Sequence, residues 1–290
     1  MLNLTILWPA ILNGVTTGAL YALIALGLTL IYGVLHIINF AHGALLMVGL
    51  YAVYFLFRFL GLDPYVSLLV VPPAMFVLGY ALQRGIISRA AHGRDENILL
   101  VTLGLSIVIE NLALMLFSSD TQTVDTAYGF ATVDVLGAFI PVPKAVAFAG
   151  AVVTALALWL FMARTDLGRA IRAVAKERKG ARLVGIDVEH VYAMSFGIGV
   201  GVLGIAACLL LPSYYVTPQV GHGFILIAFT IVVLGGMGSF VGALIGGIII
   251  GVVEAIGGLV LGESLGQIGI FAIFILILLF RPQGLLGQRG

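Results

Sequence analysis

A chain of 290 residues that is 61% hydrophobic and 9% charged, with a mean hydropathy of +1.19, has too few polar side chains to cover a soluble surface. It reads as one transmembrane domain over 1–290, because a crossing takes about 20 apolar residues and this length has room for about 8–10. A net charge of +1 argues against a nucleic-acid partner, and a lone cysteine, Cys208, against a disulfide scaffold or a cysteine metal site.

In chain order, apolar runs suited to crossing lie at about 8–33, 38–58, 65–83, 97–118, 145–163, 191–211, 224–236, 240–261 and 265–280. The first lacks a basic n-region, since the first cation is Arg58, and is read as a retained span rather than a signal. His36, Asn39 and His42 interrupt 33–43, and the run at 224–236 is short and ends in Gly235-Gly236-Met237-Gly238. Both regions are expected to be broken or re-entrant helices. The expected fold class is therefore an all-α polytopic membrane protein with about 8–10 transmembrane helices.

On the 97–118 run, Thr102, Ser106 and Glu110 share one helical face. Intramembrane acids are functional by default, although an acid without a basic partner in its own span can equally be a protonated hydrogen-bond donor between helices. The segment 119–144 sets Asp120, Asp125 and Asp134 against one cation, Lys144, and belongs outside. Arg84, Arg89 and Arg94, the island at 164–190, and Arg281 with Arg289 belong in the cytoplasm, which puts the N-terminus outside. Arg58 and Asp63 then fall on the outer side, against the trend.

The island at 164–190 holds half of the lysines and arginines. Its first half reads as an amphipathic helix, with Leu167, Ile171 and Val174 on one face, Arg169, Arg172, Lys176 and Lys179 on another, and Gly180 as the expected stop. Such a segment serves either as a docking surface for a partner or as a contact with anionic membrane lipid.

Thirty-eight glycines, many inside spans, let helix backbones approach where no hydrophobic effect draws them together. Gly238, Gly242 and Gly246 are spaced by four, as are Gly247 and Gly251, and Gly14 and Gly18. Gly242, Gly246 and Gly251 are expected contact positions, with Glu254 in the same seam. A faint echo links the two interrupted regions: Leu28-Thr29-Leu30-Ile31 leads to Asn39-Phe40 and Gly43, as Phe229-Thr230-Ile231-Val232 leads to Ser239-Phe240 and Gly242. Repeat-built transporters place broken helices at corresponding positions beside the substrate path.

No Gly-Lys dipeptide occurs, so there is no Walker-type phosphate loop and the driving energy must come from another chain. No metal-ligand spacing is present, no cofactor is called for, and no histidine follows Ser239 to serve it as a base. No enzymatic activity of its own is expected.

The blocks from Gly14 to Gly27, Ile31-Tyr32-Gly33 and Ile38-Asn39-Phe40-Ala41-His42-Gly43 closely resemble the branched-chain amino acid ABC transporter permeases of the LivH type. So do Leu167-Gly168-Arg169-Ala170, Leu183-Val184-Gly185-Ile186, Ala228-Phe229-Thr230, Val233 to Ser239, and Arg281 to Gly287. The resemblance implies a bacterial inner-membrane subunit that pairs with a homologous permease, rests on two cytoplasmic ATPase subunits and receives ligand from a periplasmic binding protein. It implies ATPase coupling through Leu167, Gly168, Arg169, Arg172, Gly185 and Ile186. It also implies a translocation path near Asn39, His42, Gly43, Gly235, Gly236, Gly238 and Ser239. Ala44 and Ile227 stand where family members carry an acid and a lysine. The substrates implied are branched-chain or other hydrophobic amino acids, with urea, amides and aromatic or short-chain carboxylates as alternatives. A rival from another class is an ion-coupled secondary transporter using Glu110 and Glu254, and a third is an assembly subunit that never touches substrate.

Overall fold

The computed structural model of the chain describes residues 4–91, 95–135, 137–262, 265–281 and 283–286. Arg94, Pro282, Gly287 and Arg289, which entered the expectations above, lie outside the described residues.

Helix α1 (Leu4–Leu35) is followed by α2 (His42–Leu60), α3 (Val71–Leu82), a π-helical turn at Gln83–Ile87, α4 (Ser88–Ala91) and α5 (Asp95–Phe117). Next come α6 (Val142–Arg164), α7 (Asp166–Lys176), α8 (Arg178–Leu183), α9 (Val188–Leu210), α10 (Val220–Gly235), α11 (Phe240–Leu261) and α12 (Gly266–Phe280). All nine apolar runs are helical in whole or most part. Six of these helices are long and apolar enough to cross a membrane alone, while α10 and α12 are shorter apolar helices. The expected all-α polytopic architecture is what the chain adopts. A small antiparallel hairpin before α6, β1 (Thr132–Val135) with β2 (Ala138–Pro141), pairs Thr132 with Pro141 and turns at Gly137.

Helix α1 stops where His36 takes the left-handed conformation (φ 57°), its amide still donating to the Tyr32 carbonyl at 2.7 Å. Helix α2 ends on left-handed Gly61, whose amide returns to Phe57 O. The amphipathic island helix ends earlier than expected. Glu177 is extended and its carboxylate accepts from Lys179 N at 3.1 Å, so it closes α7 and caps α8, and Gly180 lies inside α8 rather than at a stop.

Helices α1 and α9 are buried along most of their length and form the centre, whereas α5 is largely exposed. Helices α1 and α11 run against each other at backbone contact. A Cβ on Gly251 would lie 2.3 Å from Gly14 O, and one on Gly247 would fall 2.5 Å from the Ala22 Cβ. Glycine is therefore a steric requirement of this seam.

Candidate functional site

Between α1 and α2, residues 36–41 leave helical geometry inside the bundle. Asn39 Oδ1 accepts from Ala41 N at 3.1 Å, which turns the chain into α2, and His42 Nε2 lies 3.0 Å from Ile24 O, well inside α1. Helix α2 thus starts beside the middle of α1. Gly43 there meets the first turn of α10: a Cβ on Gly43 would be 2.2 Å from Gly221 O, and one on Gly221 would be 2.4 Å from Gly43 O. Two helix N-termini, each with positive dipole character, converge at this glycine pair. Asn39 and His42 are 2% and 0% exposed, and among the described residues Asn39 Nδ2 and His42 Nδ1 have no hydrogen-bond partner. They hold the break from within, while Gly43 reaches a cavity of about 120 Å³ that also touches Ser106, Glu110 and His222.

Glu110 has a partner that spacing along its own helix could not reveal. His222, on the first turn of α10, places Nε2 2.8 Å from Glu110 Oε2 and 2.9 Å from Oε1. The same face of α5 braces the break, since Phe40 N donates to Thr102 Oγ1 at 3.3 Å. The expected polar stripe of Thr102, Ser106 and Glu110 thus faces the place where α2 and α10 begin.

The remaining expected path residues lie at the other end of α10, in the turn to α11. Gly236 and Gly238 have φ of 95° and 87°, values that suit glycine. Ser239 Oγ accepts from Gly242 N at 3.1 Å, so this serine is the N-cap of α11. Gly235 and Gly242 lie in backbone contact across the hairpin, with Gly246 looser against Ile231. The stretch at 283–286 folds back here, Leu285 N donating to Leu234 O at 2.7 Å and Leu286 N to Gly235 O at 3.2 Å. It satisfies carbonyls at the end of α10, a role that nothing in the sequence pattern announced. A Cβ on Gly33 would be 3.5 Å from Gly238, so the two interrupted regions linked by the sequence echo touch.

A cavity of about 560 Å³ separates this turn from the island, with Thr29, Gly238 and Ser239 on one side and Met162, Ile171 and Arg172 on the other. The island is a folded platform on the bundle end. Thr165 Oγ1 caps α7 by accepting from Gly168 N at 3.0 Å. Arg172 donates to Met162 O at the end of α6, and Arg178 Nη2 donates to Leu35 O, 2.6 Å away, at the end of α1. Both arginines thus cap helix carbonyls as well as carrying charge.

Gly168 does not face outward. A Cβ on it would be 2.5 Å from Met162 O, so it belongs to the α6–α7 elbow rather than to an open docking surface. Arg169 is exposed and paired with Asp166, and Leu167 is half-buried against the bundle. After α8, Gly185 (φ 86°) makes a turn that leaves Leu183 88% and Val184 77% exposed while Ile186 packs inward. An exposed apolar pair at the tip of a basic platform is the feature a partner would grip.

Glu254 lies beside the α1–α11 seam but not sealed in it. It faces a cavity between α1, α6, α10 and α11, close to Tyr21 and Lys144.

Broken helices whose ends meet inside an apolar bundle, with a folded platform at one end, define a polytopic membrane permease. The chain belongs to the family described as the branched-chain amino acid transport system permease component, which matches residues 10–279. It is 35% identical to the high-affinity branched-chain amino acid transport system permease protein BraD of Pseudomonas aeruginosa, over 96% of this chain and 95% of that one. To LivH of Escherichia coli strain K12, a permease protein of the same description, it is 33% identical over 95% and 94%. No solved structure matches it. It is a permease subunit of a transport system, not an enzyme.

Proposed function

We propose that this chain is the membrane-spanning subunit of an ATP-driven importer in a bacterial inner membrane, translocating branched-chain or other hydrophobic amino acids. Its partners are two cytoplasmic ATPase subunits, a homologous second permease and a periplasmic binding protein. The observation that supports the reading is the platform of α7 and α8, where a chain without a phosphate-binding loop presents a folded basic surface with an exposed apolar tip. When the ATPases change their separation the platform moves with them, through the Arg172 and Arg178 caps, and α6 and α1 follow. The small-residue seams let those helices slide while the glycine turn at 235–239 and the break at Asn39, His42 and Gly43 open to one side or the other. Converging helix N-termini at Gly43 and Gly221 suit the passage of a substrate carboxylate.

The test is made in the purified, assembled transporter. Leu183→Glu with Val184→Glu, and separately Arg169→Glu, should lower uptake and substrate-stimulated ATP hydrolysis by about tenfold or more, with normal membrane insertion. A platform held only by lipid would tolerate the loss of one cation at about 1 kcal/mol. Full coupling in both variants would remove the docking role.

A further inference from the structure

The cavity that receives Glu254 has features the reading above leaves unused. It measures about 630 Å³, and its walls bring together Lys144 from the first turn of α6, Glu254 from α11, and the aromatic rings of Tyr21, Tyr214 and Phe224. A volume of this size is within the range of small-molecule sites. It adjoins a second cavity of about 850 Å³ that shares Lys144 and the same three rings and opens toward the segment at 123–130.

The two charges are of opposite sign yet do not close on each other. Lys144 Nζ donates to Asn13 Oδ1 at 2.7 Å, and among the described residues it makes no salt bridge with Glu254, although the two act on one another electrostatically. Tyr21 lines the same cavity as the Glu254 carboxylate. Both side chains are half-buried on the walls of this cavity, so each charge stays available to a ligand group of the opposite sign. The ammonium also sits at a helix N-terminus, where α6 adds further positive potential. Between the poles lie aromatic rings together with the polar side chains of Asn13, Thr17 and Gln267. Tyr214 stacks on Tyr215 with centroids 4.5 Å apart, Phe224 meets Tyr21 edge-on at 6.1 Å and Tyr214 at 5.4 Å, and Ile227 completes the surface.

From this arrangement we infer that the cavity between α1, α6, α10 and α11 is an entry site for an α-amino acid zwitterion, Lys144 receiving the carboxylate, Glu254 the ammonium, and the aromatic wall the apolar side chain. The inference rests on the import reading above and adds the site and its two recognition poles. Ile227 fits this role, since an apolar residue there leaves the wall free for an aliphatic side chain and adds no second cation to compete for the substrate carboxylate. Val220, Gly223 and Phe224 on this wall belong to the same first turns of α10 as Gly221, which meets Gly43.

The experiment uses the purified full chain in lipid nanodiscs, with binding of radiolabelled L-leucine competed by 4-methylpentanoate, which lacks the ammonium, and by 3-methylbutylamine, which lacks the carboxylate. The wild type should prefer L-leucine to either analogue by on the order of tenfold or more, the effect of one charge-assisted contact. Lys144→Met should erase the advantage over the amine while keeping that over the acid, and Glu254→Gln should do the reverse. Lys144→Arg and Glu254→Asp keep each charge and should keep the wild-type ranking. Equal loss of every ligand in the neutral variants, the same loss of ranking in the charge-conserving variants as in the neutral ones, or no binding of any α-amino acid by the wild type would overturn the site. If L-phenylalanine or L-asparagine binds with the same two-pole pattern and L-leucine does not, the site stands and the branched-chain reading falls. If the assembled transporter imports L-leucine while neither neutral variant changes the ranking, the import reading stands and the site falls.

Discussion

Single atoms decide most of this architecture. Glycines at some helix crossings have no room for a methyl group, while others are open, and the sequence alone does not separate the two. A Cβ on Gly43 collides with the Gly221 carbonyl, whereas one on Gly104, in α5, meets nothing within 4 Å among the described residues. Gly43→Ala should therefore force α2 and α10 apart and sharply reduce folded protein and uptake, measured by size-exclusion yield and transport. Gly104→Ala should be neutral or stabilising by up to about 1 kcal/mol, because alanine is the better helix former. Equal behaviour of the two variants would mean that the α2–α10 contact is not made. The same scale explains the outer-side charges that run against the orientation trend. Asp63 accepts from Tyr65 N at 2.8 Å and from the Tyr128 hydroxyl at 2.9 Å, and Arg58 donates to the Tyr54 hydroxyl. Asp63 thus secures the loop before α3, while the Arg58 contact stays within α2.

Among the elements, the platform shows most clearly how local signals and tertiary contacts divide the work. Its caps are ordinary N-cap residues that the sequence reading above did not single out: Thr165 before α7, and Asp187 before α9, whose Oδ1 accepts from His190 N at 3.1 Å. Its attachment was not readable, because the Arg178 contact with Leu35 O joins residues 143 positions apart. Arg178→Met should leave insertion intact while loosening α7 and α8, with amide exchange across 166–183 faster by about tenfold and coupling weakened. Unchanged exchange would mean that the α1 cap does not hold the platform. The same division runs through the rest of the chain. Hydropathy located every apolar helix, since crossing segments must be long and apolar whatever their neighbours. The starts at His42 and Val220 depend on one helix end meeting another, so the runs read from sequence began four residues too early for α2 and four too late for α10. Glu110 looked solitary because its histidine is on α10, and Lys144 and Glu254 looked unrelated because only the packing of α6 near α1 and α11 brings them to one cavity.

For the whole molecule, charge and architecture agree on a polarity. Arg84 lies in the π turn and Arg89 in α4 just after it, at the platform end, where Gln83 and Ser88 share a cavity with Lys176, Arg178, Lys179 and Arg182. Arg281 closes α12 beside the segment that folds back onto α10, whose end abuts the same region through Gly238 and Gly33. The opposite end carries the hairpin, Asp125 and the two adjoining cavities lined by Lys144. A bundle with most of its cations at one end is held with that end in the cytoplasm, because moving them across the membrane is opposed during insertion. The aromatic cavities then open toward the outside, the side from which the proposed entry site would take ligand, and the platform faces the cytoplasm, where the proposed ATPase subunits would dock. Cysteines placed at Ser119 and at Lys179, in a chain whose buried Cys208 has been replaced by alanine, should react with an impermeant maleimide from opposite sides of intact cells or inverted vesicles. Ser119 should label from the periplasm and Lys179 only from the cytoplasm. Labelling of both from one side would invert the assignment for one of the two ends and with it the direction in which the proposed entry site faces.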